Sequence, residues 1–290
     1  MVEIAVIGDV HCQFNAQDVH FFNQSNYDLL LFVGDLARYR HREGMQMAMH
    51  IARLQKPVFL LPGNHDAIHA WHLLAEIKGS AFWSGLFTPG QARRMRQLRQ
   101  ILGDALPAGY STHPFDLHGI QFDLIAARPF AMGGSRLNYA AYLQQAYGVK
   151  NMAQSTAMLK QCVDYAQSDR LVFLAHNGPA GLGSARDDIW GCDFREGAGD
   201  FGDEDLQQAI WYAKQQGKQV VAVVAGHMHH ALKGGGRRQW RVAADGTEYV
   251  NVARVPRIFE ENGRILHHHV RLSLTETAVS IQEMYIPNSA

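Results

Sequence analysis

Short apolar runs recur along the first 225 residues, at 4–7, 29–33, 58–61, 120–125, 171–175 and 220–225, each bounded by Gly, Pro or Asn. Runs this short and this apolar suit strands covered on both faces, which is how parallel sheets are buried. Between them, segments 44–54, 67–77, 92–102, 137–147, 152–166 and 204–216 carry helical periodicity. Such alternation points to an α/β architecture rather than to separate helical and β halves. The end of the chain departs from it: strand-like 240–243 and 248–252 flank Asp245-Gly246, a strong hairpin signal, and two more strand-like runs lie at 265–272 and 278–285. With no repeat, low-complexity tract or Pro/Ser-rich linker, residues 1–290 read as one domain. Three stretches, 79–119, 127–148 and 178–203, are longer than crossovers need and are candidate walls of a substrate pocket.

Composition narrows the partners. The 27 Lys and Arg residues cancel the 27 Asp and Glu residues, so no global field draws the chain to nucleic acid or to an anionic membrane. Cys12, Cys162 and Cys192 are odd in number, far apart and lack C-x-x-C spacing, which supports neither a disulfide framework nor a structural zinc knuckle. Residues 2–7 enter a strand without the features of a secretory signal, and no apolar run is long enough to span a bilayer. The expected setting is the cytoplasm or a stroma-like reducing compartment, with no membrane partner.

The chemistry lies at the carboxyl ends of the runs. Residues 4–7 lead into Gly8-Asp9-Val10-His11, 29–33 into Gly34-Asp35, and 58–61 into Pro62-Gly63-Asn64-His65-Asp66. Farther on, 171–175 ends at His176 and 220–225 at Gly226-His227-Met228-His229. Ligands of open α/β sheets gather outside the carboxyl ends of the strands, so these groups are expected to converge. In extended chain, residues i and i+2 point the same way, which lets Asp9 and His11, or His227 and His229, address one centre. Carboxylates mixed with imidazoles suit Mn, Fe or Zn better than Ca.

This ordered set resembles the five motifs of the calcineurin-like metallophosphoesterase family, over residues 1 to about 230, and within it the cyanobacterial and plastid-type branch. The resemblance implies an αββα two-sheet sandwich and hydrolysis of a phosphate monoester or diester by a hydroxide held between two divalent metal ions, manganese first, with iron or zinc as alternatives. It implies that Asp9, His11, Asp35 and His229 hold one metal and that Asp35, Asn64, His176 and His227 hold the other. Two cations about 3.5–4 Å apart need a shared anionic ligand, here Asp35, to offset their repulsion. His65 is then free to protonate the leaving oxygen, with Asp66 expected to orient it. A small phosphorylated substrate is favoured, beside which nuclease, nucleotide pyrophosphatase and a metal-retaining scaffold without turnover stay open.

Two departures from the family pattern matter. The Gly that often comes after the first His is Cys12, and the Asp-Arg pair found after Gly-Asp in protein Ser/Thr phosphatases is replaced by Arg38-Tyr39, which argues against a phosphoprotein substrate. Arg38, Arg128 and Arg136, the last two in a loop with Asn138, are candidate substrate-binding groups, since guanidinium binds phosphate bidentately. His69 and His72 read as a solvated helix face, His267-His268-His269 as surface or core histidines, and Cys12 as a small buried residue. On the helix at 92–102, Met95, Leu98, Ile101 and Leu102 should face the core, leaving Arg93 and Arg96 on a solvated or pocket-rim side.

Overall fold

A computed structural model describes residues 1–287. Its first sheet contains parallel strands β1 (Val2–Ile7), β2 (Leu29–Phe32), β3 (Val58–Leu60) and β4 (Leu106–Pro107). The long antiparallel β12 (Arg264–Leu274) continues it from β1, with β11 (Ile258–Glu261) and β13 (Val279–Pro287) paired along β12. The second sheet has the order β5 (Ser111–Leu117), β6 (Ile120–Ala126), β7 (Arg170–Leu174), β8 (Gln219–Ala225), β10 (Thr247–Asn251) and β9 (Arg241–Ala244). Its four central strands are parallel and its two edges antiparallel. Helices α1 (Ala16–Gln24), α2 (His41–Ile51), α3 (Ala70–Lys78), α4 (Ala81–Leu102) and α5 (Ala140–Tyr147) form one outer layer, while α6 (Met152–Asp164) and α7 (Glu204–Gln215) pack together in the other. The architecture is the αββα sandwich.

Local chemistry accounts for the elements. Strands β1, β2, β7 and β8 bury nearly every side chain, which is why they read as continuous apolar runs. The β9–β10 turn is made by Asp245 and Gly246, both at positive φ, as a two-residue hairpin with a right-handed twist requires. Helix α1 was not expected from periodicity. It starts at a capping box in which the Asn15 side chain accepts from the amides of Gln17 and Asp18, and Asp18 accepts from the Asn15 amide.

Segment 79–119 holds more regular structure than the helix expected at 92–102. It folds largely into α4, β4 and β5, and α4 begins eleven residues before the expected start at 92. Met95, Leu98 and Leu102 face the core as expected, and Arg93 and Arg96 are exposed. Segment 178–203, by contrast, contains no helix or strand.

Candidate metal centre

Register sets the site. Ile7, Phe32 and Leu60 lie side by side in the first sheet, and Leu174 pairs with Val224 in the second, so the loops beyond them leave each sheet at one level. To turn the side chains inward there, His11, Asp35 and His227 adopt positive φ of 41°, 51° and 66°. L-residues held in that region cost on the order of 1–3 kcal/mol each and persist where the surroundings over-determine them. Two glycines make room. A Cβ on Gly63 would stand 2.3 Å from Asp35 Oδ1 and 2.6 Å from His176 Cε1, and one on Gly226 would stand 2.2 Å from Asp9 Oδ1.

Two groups of potential ligand atoms result, Asp9 with His11 and His229, and Asp35 with His176 and His227, each within 4.8 Å of one another. Asp35 faces both: Oδ2 is 3.7 Å from His11 Nε2 and Oδ1 is 3.5 Å from His176 Nε2. Asn64 Oδ1 lies 2.8 Å from His176 Nε2, completing the expected set of seven.

The donor chemistry tests whether cations fit. His11 Nδ1 lies 3.0 Å from the Ala37 carbonyl and His176 Nδ1 2.6 Å from that of Val33. A carbonyl accepts only, so each Nδ1 carries the proton and each Nε2 turns a lone pair inward. Fixing a ring through its far nitrogen in this way is typical of metal-binding histidines. Inside, ligand atoms crowd one another: His11 Nε2 is 3.2 Å from His229 Nε2, and His229 Nε2 is 3.4 Å from Asp9 Oδ2. Such a concentration of oxygen and nitrogen lone pairs suits divalent cations.

Burial raises the Asp9 carboxyl, but His229, His176 and His11 outweigh it and hold the group well below the carboxylate range. Asp35 is likewise lowered against its burial, by His176, His65 and His11. Burial pulls His176 and His229 down, yet Asp35 and Asp9 turn the balance and raise both. His227, pushed down to about 3 by burial and by His176, offers a neutral imidazole at neutral pH.

His65 stands edge-on to His11, with ring centres 5.2 Å apart, and its amide donates to Asp35 Oδ1 at 2.8 Å. Its Nδ1 is anchored on the Arg38 carbonyl. Asp66 therefore does not orient His65 as expected. Its carboxylate accepts from the Leu36 and Gly63 amides, tying the loop after β2 to the loop after β3, while burial and Asp35 push it up to about 7.

The three candidate arginines separate. Arg38 is exposed at the rim, held by Nε on the His11 carbonyl. Arg128 is 2% exposed and ion-paired with Asp203 and Asp205, so its charge is neutralised inside the protein and unavailable to a substrate. Arg136 bonds the Glu76 carbonyl at the end of α3, a helix-capping contact. Asn138 is buried beside it in sequence.

Other expectations are corrected nearby. His72 is not on a solvated face but fully buried against Tyr139 and Phe87, and burial pushes it down to about 4. His69 caps α3 by accepting from the His72 amide. Cys12 is half-buried at φ 68°, the conformation for which Gly is the usual occupant, with Sγ 3.6 Å from Glu43 Oε2; burial raises its thiol.

Three supporting residues escaped the sequence reading because their partners are remote. Buried Tyr139 donates its hydroxyl to the Asn64 carbonyl at 2.8 Å. Asn251 donates to the Met228 carbonyl at 2.7 Å, inside the His227–His229 turn. Arg238 donates to the carbonyls of His229, Arg186, Asp188 and Gly191 and to Asp193, fastening segment 178–203 to the site. Only the Gly-rich run before Arg238 hinted at a special backbone there.

A model of the calcineurin-like phosphoesterase family matches residues 2–231, and the chain belongs to that family. No curated protein matches it. One crystal structure shares the fold with a TM-score of 0.55 and 10% identity, covering 97% of this chain and 98% of its own. A Staphylococcus aureus protein provisionally described as a 5'-nucleotidase, in complex with alpha-ketoglutarate, is 12% identical with a TM-score of 0.49; 99% of this chain covers 54% of that one. Vacuolar Protein Sorting 29 from Cryptosporidium parvum is 8% identical, with a TM-score of 0.32 and coverage of 99% of this chain and 98% of that one.

Proposed function

We propose that this protein hydrolyses a small phosphate ester with two divalent cations, one held by Asp9, His11, Asp35 and His229 and the other by Asp35, Asn64, His176 and His227. The observation that most supports this reading is Asp35, whose two oxygens face the two histidine groups separately. When bound, the cations would supply Lewis acidity to the phosphoryl group and to a water nucleophile. The chain's own residues do the rest. His65, whose Nδ1–H is anchored on the Arg38 carbonyl, gives the leaving oxygen the Nε2 proton of its doubly protonated, imidazolium form. Arg38, held through Nε, keeps its terminal nitrogens for a phosphate oxygen. Asp66 and Tyr139 hold the loop that carries Asn64 and His65.

The donor set of carboxylate, imidazole and amide, without thiolate, makes manganese the first metal to test, then iron and zinc. Segments 127–148 and 178–203 are proposed as pocket walls within one domain of residues 1–290. Three free cysteines favour a reducing compartment such as the cytoplasm.

The test is to strip the protein with a chelator, resupply each metal, and assay p-nitrophenyl phosphate, its bis-diester, nucleotides and single-stranded DNA. Manganese-restored hydrolysis of a small ester with two metals per chain is expected. Metal uptake without turnover would replace the enzyme by a binding scaffold, and preference for DNA would replace the small substrate.

A further inference from the structure

Helix α3 and the first half of α4 bury polar side chains and expose large apolar ones. Inward they turn His72, Glu76, Ser84, Thr88 and Gln91, beside Leu73 and Ala75, all buried. Outward they turn Trp71, Leu74, Ile77, Phe82, Trp83 and Leu86, with Trp71 71% and Phe82 75% exposed. Scattered exposed apolar residues are ordinary, but here six of the fourteen large ones among the described residues fall between positions 71 and 86. The hairpin is held in this orientation, because Glu76 accepts from the Ser84 hydroxyl and from the Tyr139 amide.

Charge identifies the occupant. From Ala70 to Leu102 the chain carries five Lys and Arg residues, at 78, 93, 94, 96 and 99, against Glu76 alone, which is buried. The outer face of α4 runs from Phe82, Trp83 and Leu86 on to Arg93 and Arg96, and Lys78 lies one turn beyond Leu74 on α3. A second copy of this chain would bring like charges together with no exposed acid on the hairpin to pair them. Tryptophan and phenylalanine beside lysine and arginine suit the interfacial layer of a bilayer.

We propose that the α3–α4 hairpin docks the protein on an anionic membrane surface, with Trp71, Phe82, Trp83 and Leu86 in the interfacial layer and Lys78, Arg93 and Arg96 on the headgroups. Among the described residues no helix is long and apolar enough to cross a membrane, so the attachment is peripheral. The expectation of no membrane partner rested on net charge and on spanning length, neither of which registers a local patch.

The full chain is to be sedimented with phosphatidylcholine vesicles and with vesicles containing about a third phosphatidylglycerol. Three cationic side chains near the surface predict a preference of roughly a hundredfold for the anionic vesicles, weakened by salt. Brominated acyl chains should quench the tryptophan emission, a measurement that needs no substitution. The doubly substituted Phe82→Ser, Trp83→Ser protein should bind more than about tenfold less with an unchanged melting temperature. No binding of the native chain to anionic vesicles, or equal binding by the serine variant, would overturn the proposal. Self-association that the serine variant loses, without vesicle binding, would overturn it in favour of a second copy.

Discussion

The molecule holds two buried clusters of aspartate and histidine, and they differ in where the positive charge comes from. At the start of α1, Asp18 accepts from Arg257 and from His267 Nδ1, each at 2.9 Å, and from the Asn15 amide at 3.0 Å. That cluster carries its own cation. At the strand ends, His11 and His176 spend their Nδ1 protons on backbone carbonyls, and what remains is acceptor against acceptor. Similar residue types thus serve as a structural lock in one place and form the proposed receptacle for external cations in the other, and the nearby guanidinium makes the difference.

Asp35→Asn and Asp18→Asn should break the comparison in opposite directions. The first is expected to lower turnover on the order of a thousandfold or more and to lose metal, read by elemental analysis, while the metal-free protein unfolds at much the same temperature. The second leaves Arg257 buried without a counter-charge and should cost about 3–5 kcal/mol in urea denaturation, with activity kept in the folded fraction. Asp35→Asn protein with full metal content and rate would remove Asp35 from its bridging position.

Replacing His65 by Ala sharpens the assignment within the receptacle. Esters with alkoxide leaving groups should slow by roughly 10²- to 10⁴-fold, and nitrophenyl esters, whose leaving group needs no proton, far less. Equal losses on both substrates would make His65 a positioning group.

Acid titrates the lock. Burial raises the Asp18 carboxyl, but Arg257 and His267 outweigh it and bring it from 3.8 to about 2. A depressed folded-state value means that the stabilisation is complete above the unfolded value and disappears as pH falls from about 4 toward 2, some ~2 kcal/mol in all. Denaturation curves of the native chain and Asp18→Asn should therefore draw closer across that window by about that amount. The smallest effect belongs to Cys12→Ser, which should leave metal content unchanged and turnover within about twofold, because a protonated thiol against Glu43 is replaced by a hydroxyl.

The strands and their chemical endings were legible because parallel strands buried on both faces leave unbroken apolar runs, and because residues at their carboxyl ends have one place to go. Whatever depended on remote partners was not. Arg128 looked like a phosphate-binding group because Asp203 and Asp205, its counter-charges, lie some 75 residues away in sequence. Asp66 was misplaced because adjacency to His65 says nothing about which amides close the turn. Helix α1 is short and weakly apolar, and its start was written only in the Asn15 and Asp18 cap. For His72, helical periodicity showed that α3 has two faces but not which one the rest of the protein would cover.

Asp9, His11, Asp35 and Asn64 come after strands of one sheet, whereas His176, His227 and His229 come after strands of the other. Among the direct bonds across that seam are those from the His227 amide to Asp9, from His176 to the Val33 carbonyl and from the Phe130 amide to the Pro62 carbonyl. The cluster is therefore a gauge of how the two layers are aligned. A methylene deleted from the packing between the sheets shifts one half of the donor set against the other, and a displacement too small to register in a melting curve is large on the scale of a coordination bond. Substitutions far from any reacting group should then be felt in turnover before they are felt in stability.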